Sequence, residues 1–264
     1  MKDEDSDNYT LITGAGAGIG KAIAIECAKN GFNLFLVSLP DTEFVDTVKY
    51  IEHNFSVNVK SLGIDLTENE SPQKVFDFAQ KNQMSINNLV NNAGIGFEGK
   101  FENLTPELID KMILLNVRVS TLLTFLFLPQ MKKLKQAHIL NISSFASFVA
   151  LPNKSVYAAT KTYILFFTRA LNRELKDSNI LISSIHPSGV TSERSKGNIQ
   201  KLSLLTRITT LTPDEVAQTA VRNMLNGKKF VVPGLATKFY YLLGSVLPQG
   251  LLLRIVGKIF SKTS

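Results

Sequence analysis

A chain of 264 residues with 44% hydrophobic and 19% charged residues has enough apolar material for one large core and lies outside the composition of disordered proteins. A single cysteine excludes a disulfide framework, and Cys27, set in the apolar stretch IAIECAKN, reads as a small buried thiol in a reducing compartment. The net charge of +7 is local: no acid follows Glu215, whereas Arg222, Lys228, Lys229, Lys238, Arg254, Lys258 and Lys262 do. That basic segment suits a solvated face, an acidic metabolite or an anionic membrane surface, and no recognition motif accompanies it to argue for nucleic acid.

The opening residues, MKDEDSDNYT, are acidic and polar where a signal peptide would be basic and then apolar, so residues 1–7 read as a disordered tail and the expected location is the cytoplasm. Apolar runs follow at 9–13 (YTLIT), 33–38 (NLFLVS), 57–62 (VNVKSL), 86–90 (INNLV), 138–143 (HILNIS), 180–185 (ILISSI) and 229–232 (KFVV). Helical patterns lie between them, at 20–31, 71–82 and 213–225. This alternation predicts a parallel sheet covered on both faces, one doubly wound α/β domain over 8–233 with seven strands. Thr105-Pro106-Glu107 and Thr212-Pro213-Asp214-Glu215 each read as an N-cap, a proline at the first helical position and acid in the first turn. The run VSTLLTFLFLP (119–129) is about half the length needed to span a bilayer and reads as part of a long buried helix or of a subunit contact.

The first strand runs directly into Thr13-Gly14-Ala15-Gly16-Ala17-Gly18-Ile19-Gly20, where a helical pattern starts. A strand, a glycine turn and a helix N-terminus form a site for a pyrophosphate, because glycine lets the backbone approach and unpaired N–H groups face the anion. Gly14, Gly18 and Gly20 give the spacing G-x-x-x-G-x-G rather than G-x-G-x-x-G. The second strand ends Val37-Ser38-Leu39-Pro40-Asp41. Neither an acid for a ribose 2′-hydroxyl nor a base for a 2′-phosphate stands at 38 or 39, and Asp41 follows a proline that redirects the chain. Ser38 could hydrogen-bond either group, so these residues leave NAD and NADP both open.

TGAGAGIG, Asp65 in GIDLTE, NNAG at 91–94, Asn116 in LLNVRVS, ISSFAS at 142–147 and YAATK at 157–161 resemble the successive motifs of the classical short-chain dehydrogenase/reductase family, in its order and spacing, over about residues 8–192. The resemblance implies a Rossmann fold and hydride transfer with NAD(P)H. It implies a cofactor groove built from Thr13, Gly14, Gly16, Ala17, Gly18, Ile19, Gly20, Ser38, Asp65, Leu66, Asn92, Ala93, Gly94, Tyr157, Lys161, Pro187, Ser188, Gly189, Val190 and Ser192. By the same resemblance Asp65 would hydrogen-bond the adenine, Asn91 would support the central strand and Thr13 would brace the glycine turn.

Tyr157 and Lys161 are four residues apart, hence on one face of a helix. A phenol ionises near pH ~10. A neighbouring ammonium, that of Lys161, and the positively charged nicotinamide of an oxidised cofactor both favour phenolate, so they are expected to lower that value and make Tyr157 a usable acid and base toward a carbonyl or alcohol oxygen. The resemblance further implies that Lys161 holds the nicotinamide ribose and that Ser144, rather than Ser143, hydrogen-bonds the substrate oxygen. It also implies that Asn116 holds a water relaying protons from Lys161.

This chain departs from the family at His186-Pro187-Ser188-Gly189, where Ser188 replaces the usual glycine, and at Ala17 and Leu39, where NADP-dependent members often carry Lys or Arg. Without an Asp at 38 or 39 to repel a phosphate, the expectation leans to NADPH. His186 reads as a satisfied polar residue at a strand end. His53 and His138 form no metal cluster, and none is expected. The segment 192–213 occupies the place of a substrate lid, and 234–264 reads as amphipathic helices broken at Pro248-Gln249-Gly250. That tail resembles those of hydroxysteroid and long-chain 3-ketoacyl reductases, and three roles stay open for it: packing on the body or a partner, lining the substrate pocket, or contacting a membrane surface. The expected enzyme reduces an apolar acyl or steroid-like ketone as a homodimer or homotetramer. A cofactor-binding sensor or scaffold without turnover, and a peripheral membrane protein acting through its tail, stand as alternatives.

Overall fold

In the computed structural model, which describes residues 8–191 and 210–246, the apolar runs assemble into one parallel sheet. Its strands are β1 (Asn8–Thr13), β2 (Asn33–Ser38), β3 (Val59–Gly63), β4 (Ser85–Asn91), β5 (Ala137–Ile142), β6 (Ile180–Ile185) and β7 (Phe230–Val231), in the order β3-β2-β1-β4-β5-β6-β7. Chain growth proceeds outward from β1 to β3, then returns across β1 to β4. The point of reversal opens a crevice beyond the carboxyl ends of β1 and β4, where doubly wound sheets take ligands.

Successive strand residues point to opposite faces, so each strand feeds two cores. Ile12, Leu34, Leu36, Leu140 and Ile142 pack with α1 (Gly18–Lys29), α2 (Thr42–Asn54) and α7 (Pro213–Leu225). Leu11, Phe35, Val37, Leu89 and Ile139 pack on the other side with α3 (Ser71–Lys81) and α5 (Ser120–Met131). The two remaining central helices are α4 (Pro106–Ile113) and α6 (Ser155–Glu174). Cys27 is fully buried, and desolvation pushes its thiol up to about 12, which keeps it unreactive near neutrality.

Helix ends follow the caps in the sequence. Thr105 accepts from the Leu108 N–H, and Thr212 with Glu215 forms a reciprocal capping box. The helix α2 had no clear signal in the apolar pattern. Its N-cap is Asp41, whose carboxylate accepts from the Phe44 N–H at 2.9 Å. The apolar run 119–129 belongs to a continuous helix, Pro106–Met131, which by length and composition could cross a membrane although the run alone could not. Leu123, Phe127 and Met131 bury its inner face against the sheet, each large apolar side chain contributing about 1.5–3 kcal/mol. Its middle turn, Leu114–Val119, is π-helical and carries Asn116.

The last described helix, α8 (Leu235–Val246), lies on the body through two residues one turn apart. Thr237 is 1% exposed with its hydroxyl 3.1 Å from that of Ser188, and the Tyr241 ring sits 4.6 Å from Phe148 and 5.2 Å from Phe230. Of the roles open to the tail, this part takes packing on the body. The break at Pro248, Ser192 and most of the segment 192–213 expected as a lid (192–209) lie outside the described residues. The lid's two ends leave and re-enter side by side: Leu211 donates its N–H to Gly189 O at 2.9 Å, and Thr191 donates to Leu211 O at 2.9 Å.

Candidate active site

The glycine turn is fixed from three sides. Thr13 Oγ1 accepts from the Asn92 and Ala93 N–H groups at 3.0 Å each and donates to Val90 O at 3.3 Å, tying the end of β1 to the end of β4. Asn92 Nδ2 donates to the carbonyls of Thr13 and Gly14 at 2.9 and 3.1 Å. From α2, the Thr47 hydroxyl donates to Gly16 O at 2.9 Å. Thr47 had no motif to mark it; the Asp41 cap that starts its helix was the available signal. One layer deeper, Asn91 Nδ2 donates to Asn141 Oδ1 at 2.8 Å and to Thr124 Oγ1 at 3.1 Å, joining β4 to β5 and α5.

The turn leaves a cradle. Gly18 has φ +54°, and a β-carbon there would meet nothing within 4 Å, whereas one on Gly20 would lie 2.0 Å from Gly14 O. Ala17 is the N-cap of α1 and supplies no side-chain acceptor, so the first N–H groups of that helix, at Gly18, Ile19 and Gly20, are left for an anion. A diphosphate fits such a place. Ser38 borders it, its hydroxyl 3.0 Å from where a Gly16 β-carbon would stand. Leu39 beside it is exposed, and Asp41 is spent on capping α2. Further along the crevice, Asp65 Oδ1 accepts from the N–H and hydroxyl of Thr67, which holds this carboxyl below the usual range. The Leu66 side chain is buried in the core, which leaves its backbone for any ligand contact.

The reacting groups converge beyond β4, β5 and α6. Ser144, at the exit of β5, accepts from the Ala146 N–H at 3.2 Å through its hydroxyl oxygen, and that hydroxyl is near enough to the Tyr157 phenol to favour its ionised form. Its neighbour Ser143 donates to Lys161 O at 2.9 Å, so that hydroxyl anchors α6 instead. Lys161 is 6% exposed and donates to Ile142 O at 2.9 Å; burial pulls its ammonium down to about 8. Asn116 clasps the loop after β4, its Oδ1 accepting from Ile95 N–H and its Nδ2 donating to Ile95 O, both at 2.9 Å. The same amide donates to Thr160 Oγ1 at 3.0 Å, and Thr160 donates in turn to Tyr157 O at 2.7 Å. Thr160 stands inside YAATK and links two of the expected site residues, a role its spacing did not reveal. Gly94 is needed here: a β-carbon would come 2.7 Å from Asn116 Oδ1 and 3.5 Å from Lys161 Nζ.

One electrostatic expectation is corrected. The Tyr157 phenol is held above its ordinary value, because burial outweighs the lowering by Ser144. Lys161 Nζ lies 5.9 Å from the ring centroid with one of its N–H groups directed to a carbonyl, and burial of the phenol outweighs what that charge contributes.

Beyond β6, Pro187, Ser188, Gly189 and Val190 follow His186. Ser188 does not adopt positive φ, so replacing glycine there carries no left-handed strain, and its hydroxyl pairs with Thr237 on α8. A closed-down indentation with no room for a water molecule adjoins Tyr157, where Phe97, Leu104, Met112 and Val156 meet Asn153, Lys154 and Ser155.

A switch-point crevice with a glycine cradle at one end and a serine–tyrosine–lysine group at the other defines a nucleotide-binding α/β domain equipped for proton transfer. The chain belongs to the short chain dehydrogenase family, whose pattern it matches over residues 8–202. A very-long-chain 3-oxoacyl-CoA reductase of Danio rerio is 32% identical over 192 residues, 71% of this chain and 60% of that protein. A short-chain dehydrogenase of Sphingobium yanoikuyae, solved in complex with NADPH, is 28% identical with a TM-score of 0.77, covering 93% of this chain and 95% of that one. A 7beta-hydroxysteroid dehydrogenase shares the fold with a TM-score of 0.86 at 20% identity, covering 96% of this chain and 98% of that one. The chain spans 60–64% of the length of several curated relatives it matches.

Proposed function

We propose that this chain is an NAD(P)-dependent oxidoreductase that reduces an apolar acyl or steroid-like ketone, with Tyr157 as the proton donor. The observation that carries this reading is the convergence of Ser144, Tyr157 and buried Lys161 at the exit of β5 and the start of α6, in one crevice with the glycine cradle. A nicotinamide bound there would supply the hydride. Ser144 holds the carbonyl oxygen and stabilises the charge that grows on it, and Tyr157 delivers the proton from its hydroxyl. Burial keeps the phenol protonated at neutral pH, which suits an acid and therefore the reductive direction. Lys161 orients the ribose side of the crevice through the N–H groups that Ile142 O does not take. Asn116 and Thr160 keep the loop after β4 and the tyrosine turn in register.

NADPH is the favoured coenzyme, since no carboxylate at 38 or 39 would repel a 2′-phosphate and Asp41 is engaged in its cap. The likeness to acyl-CoA reductases supports a lipid-like ketone. Coenzyme oxidation by NADPH and NADH against a carbonyl panel tests this. The expected result is kcat/KM at least about 10-fold higher for long-chain 3-oxoacyl thioesters or steroid ketones than for hydrophilic sugars, the value of one or two buried methylenes. Equal turnover across the panel would remove the substrate assignment.

A second copy of the chain is the proposed partner. Phe125 on α5 is 70% exposed and Phe166 on α6 62%, beside the half-exposed Tyr163, which stacks on Phe167. Two adjacent helices presenting aromatic rings suit a self-complementary contact. Light scattering after chromatography is expected to give a dimer or tetramer, and Phe125→Glu with Phe166→Glu a monomer; an unchanged mass would refute this contact.

A further inference from the structure

We propose that His186 is a positioning residue for Ser144, acting through Ser147 by a side-chain chain that runs from the exit of β6 to the serine turn. The proposal rests on the reading of Ser144 and Tyr157 as the pair that handles substrate oxygen and proton. His186 is completely buried, with Nδ1 3.0 Å from Ser147 Oγ and Nε2 2.9 Å from Ser184 Oγ. Ser147 Oγ donates to Ser144 O at 2.6 Å. A serine hydroxyl has one hydrogen. With that hydrogen given to Ser144, the Ser147 oxygen accepts, and His186 must carry its proton on Nδ1. Nε2 then accepts from Ser184 at 2.9 Å, which that hydroxyl's single hydrogen favours over its longer contact with Lys229 O at 3.5 Å. One neutral tautomer satisfies the whole chain.

The surroundings enforce that state. The imidazole lies between Phe148 and Phe230, 4.8 Å from each ring centroid, and Tyr241 of α8 packs on both. The cations that face it, Arg169 and Lys161, both belong to α6 and oppose a further positive charge; Arg169 lies over the Phe230 ring at 5.5 Å. Burial lowers the imidazole most, the Ser144 backbone carbonyl partly opposes it, and these two charges add to the lowering, which brings it to about 3 and keeps it neutral at working pH.

The serine turn is tied to the β6 exit by two backbone bonds and one side-chain route, the first backbone bond running from Ser143 N–H to Ile185 O at 2.9 Å. The second backbone bond runs from Phe145 N–H to Pro187 O at 2.8 Å, and the side-chain route passes through His186 and Ser147. Cutting the side-chain route leaves Ser144 between the two backbone bonds, with the Ser147 N–H still on its carbonyl at 3.0 Å but no side chain bracing that carbonyl. A hydroxyl that must meet a reacting oxygen loses rate steeply when displaced.

The experiment compares the whole chain with His186→Phe, which fills the site without a donor, His186→Asn, whose amide can replace Nδ1–H, and Ser147→Ala, which removes the relay and leaves the imidazole. Tyr157→Phe serves as control. His186→Phe and Ser147→Ala are expected to lower kcat about 10- to 100-fold with NADPH affinity unchanged, and His186→Asn to recover most of it. The double variant is expected to cost no more than either single one. The alkaline limb of the reduction profile moves to higher pH in both, because a displaced Ser144 no longer draws the phenol down. Wild-type kcat and an unshifted profile in Ser147→Ala overturn the proposal. So does a kcat loss matched by equal losses of melting temperature and coenzyme affinity, the mark of a packing role. If His186→Phe does not fold, Ser147→Ala and His186→Asn decide the matter. If Tyr157→Phe keeps full activity, the underlying reading fails and this proposal with it; if that control is dead while the relay variants behave as wild type, only the relay is refuted.

Discussion

Tyr157→Phe is expected to lower kcat for ketone reduction by about 10²–10⁴-fold while coenzyme binding persists. Phenylalanine keeps the ring that packs on Gly96, where a β-carbon would stand 3.2 Å from Tyr157 Cδ2, so the change removes one hydroxyl and little else. The pH dependence separates this from a packing effect. With the phenol held above its ordinary value, reduction uses the form already present at neutrality. Its rate is therefore flat through neutral pH and declines as pH rises through the phenol's pKa. Oxidation of the alcohol needs phenolate and must climb over the same range. Lys161 loses its proton near 8, which withdraws the positive charge that would favour phenolate and keeps both transitions on the alkaline side. The measurement is kcat/KM against pH in both directions, with wild type and variant side by side. A variant within about 10-fold of wild type would assign the proton to another donor.

The strands and the long helices were legible because their signal is local. Near-continuous Val, Ile and Leu runs such as NLFLVS and ILISSI mark strands buried on both faces, and the observed β2 and β6 coincide with them. Helix α2 was missed since TEFVDTVKYIEHN carries polar residues on most of its surface and buries just Phe44, Thr47 and Ile51. The motif residues could be named from their order, yet how they are held could not. The link from Thr47 to Gly16 spans 31 positions and that from Ser147 to His186 spans 39, and no periodicity encodes such contacts. The sign of the Tyr157 shift failed for a related reason. Sequence spacing showed a cation one helical turn away, but whether burial or that cation dominates depends on depth and on where the ammonium points, and both are set by the fold.

Gly20→Ala is expected to abolish coenzyme binding and destabilise the chain by about 1–3 kcal/mol or more, because the new methyl meets backbone rather than a side chain that can yield. Its β-carbon would stand 2.0 Å from Gly14 O and 2.5 Å from Asn92 Nδ2. Relief requires moving the Gly14 carbonyl, which breaks the clamp from Asn92 to Thr13 and Gly14 and loosens the junction of β1 with β4. Gly18→Ala is the informative contrast. No atom lies within 4 Å of its β-carbon, so the cost to folding is confined to the left-handed backbone at φ +54°, about 1–2 kcal/mol. The methyl instead projects into the space left for the diphosphate. Thermal melts with and without NADPH distinguish the two: Gly20→Ala lowers the melting temperature without coenzyme and shows no upward shift on its addition, whereas Gly18→Ala folds nearly as well as wild type and still gains little from NADPH. Full coenzyme stabilisation of Gly18→Ala would mean that the anion does not sit at this turn, and the cradle would have to be sought elsewhere in the crevice.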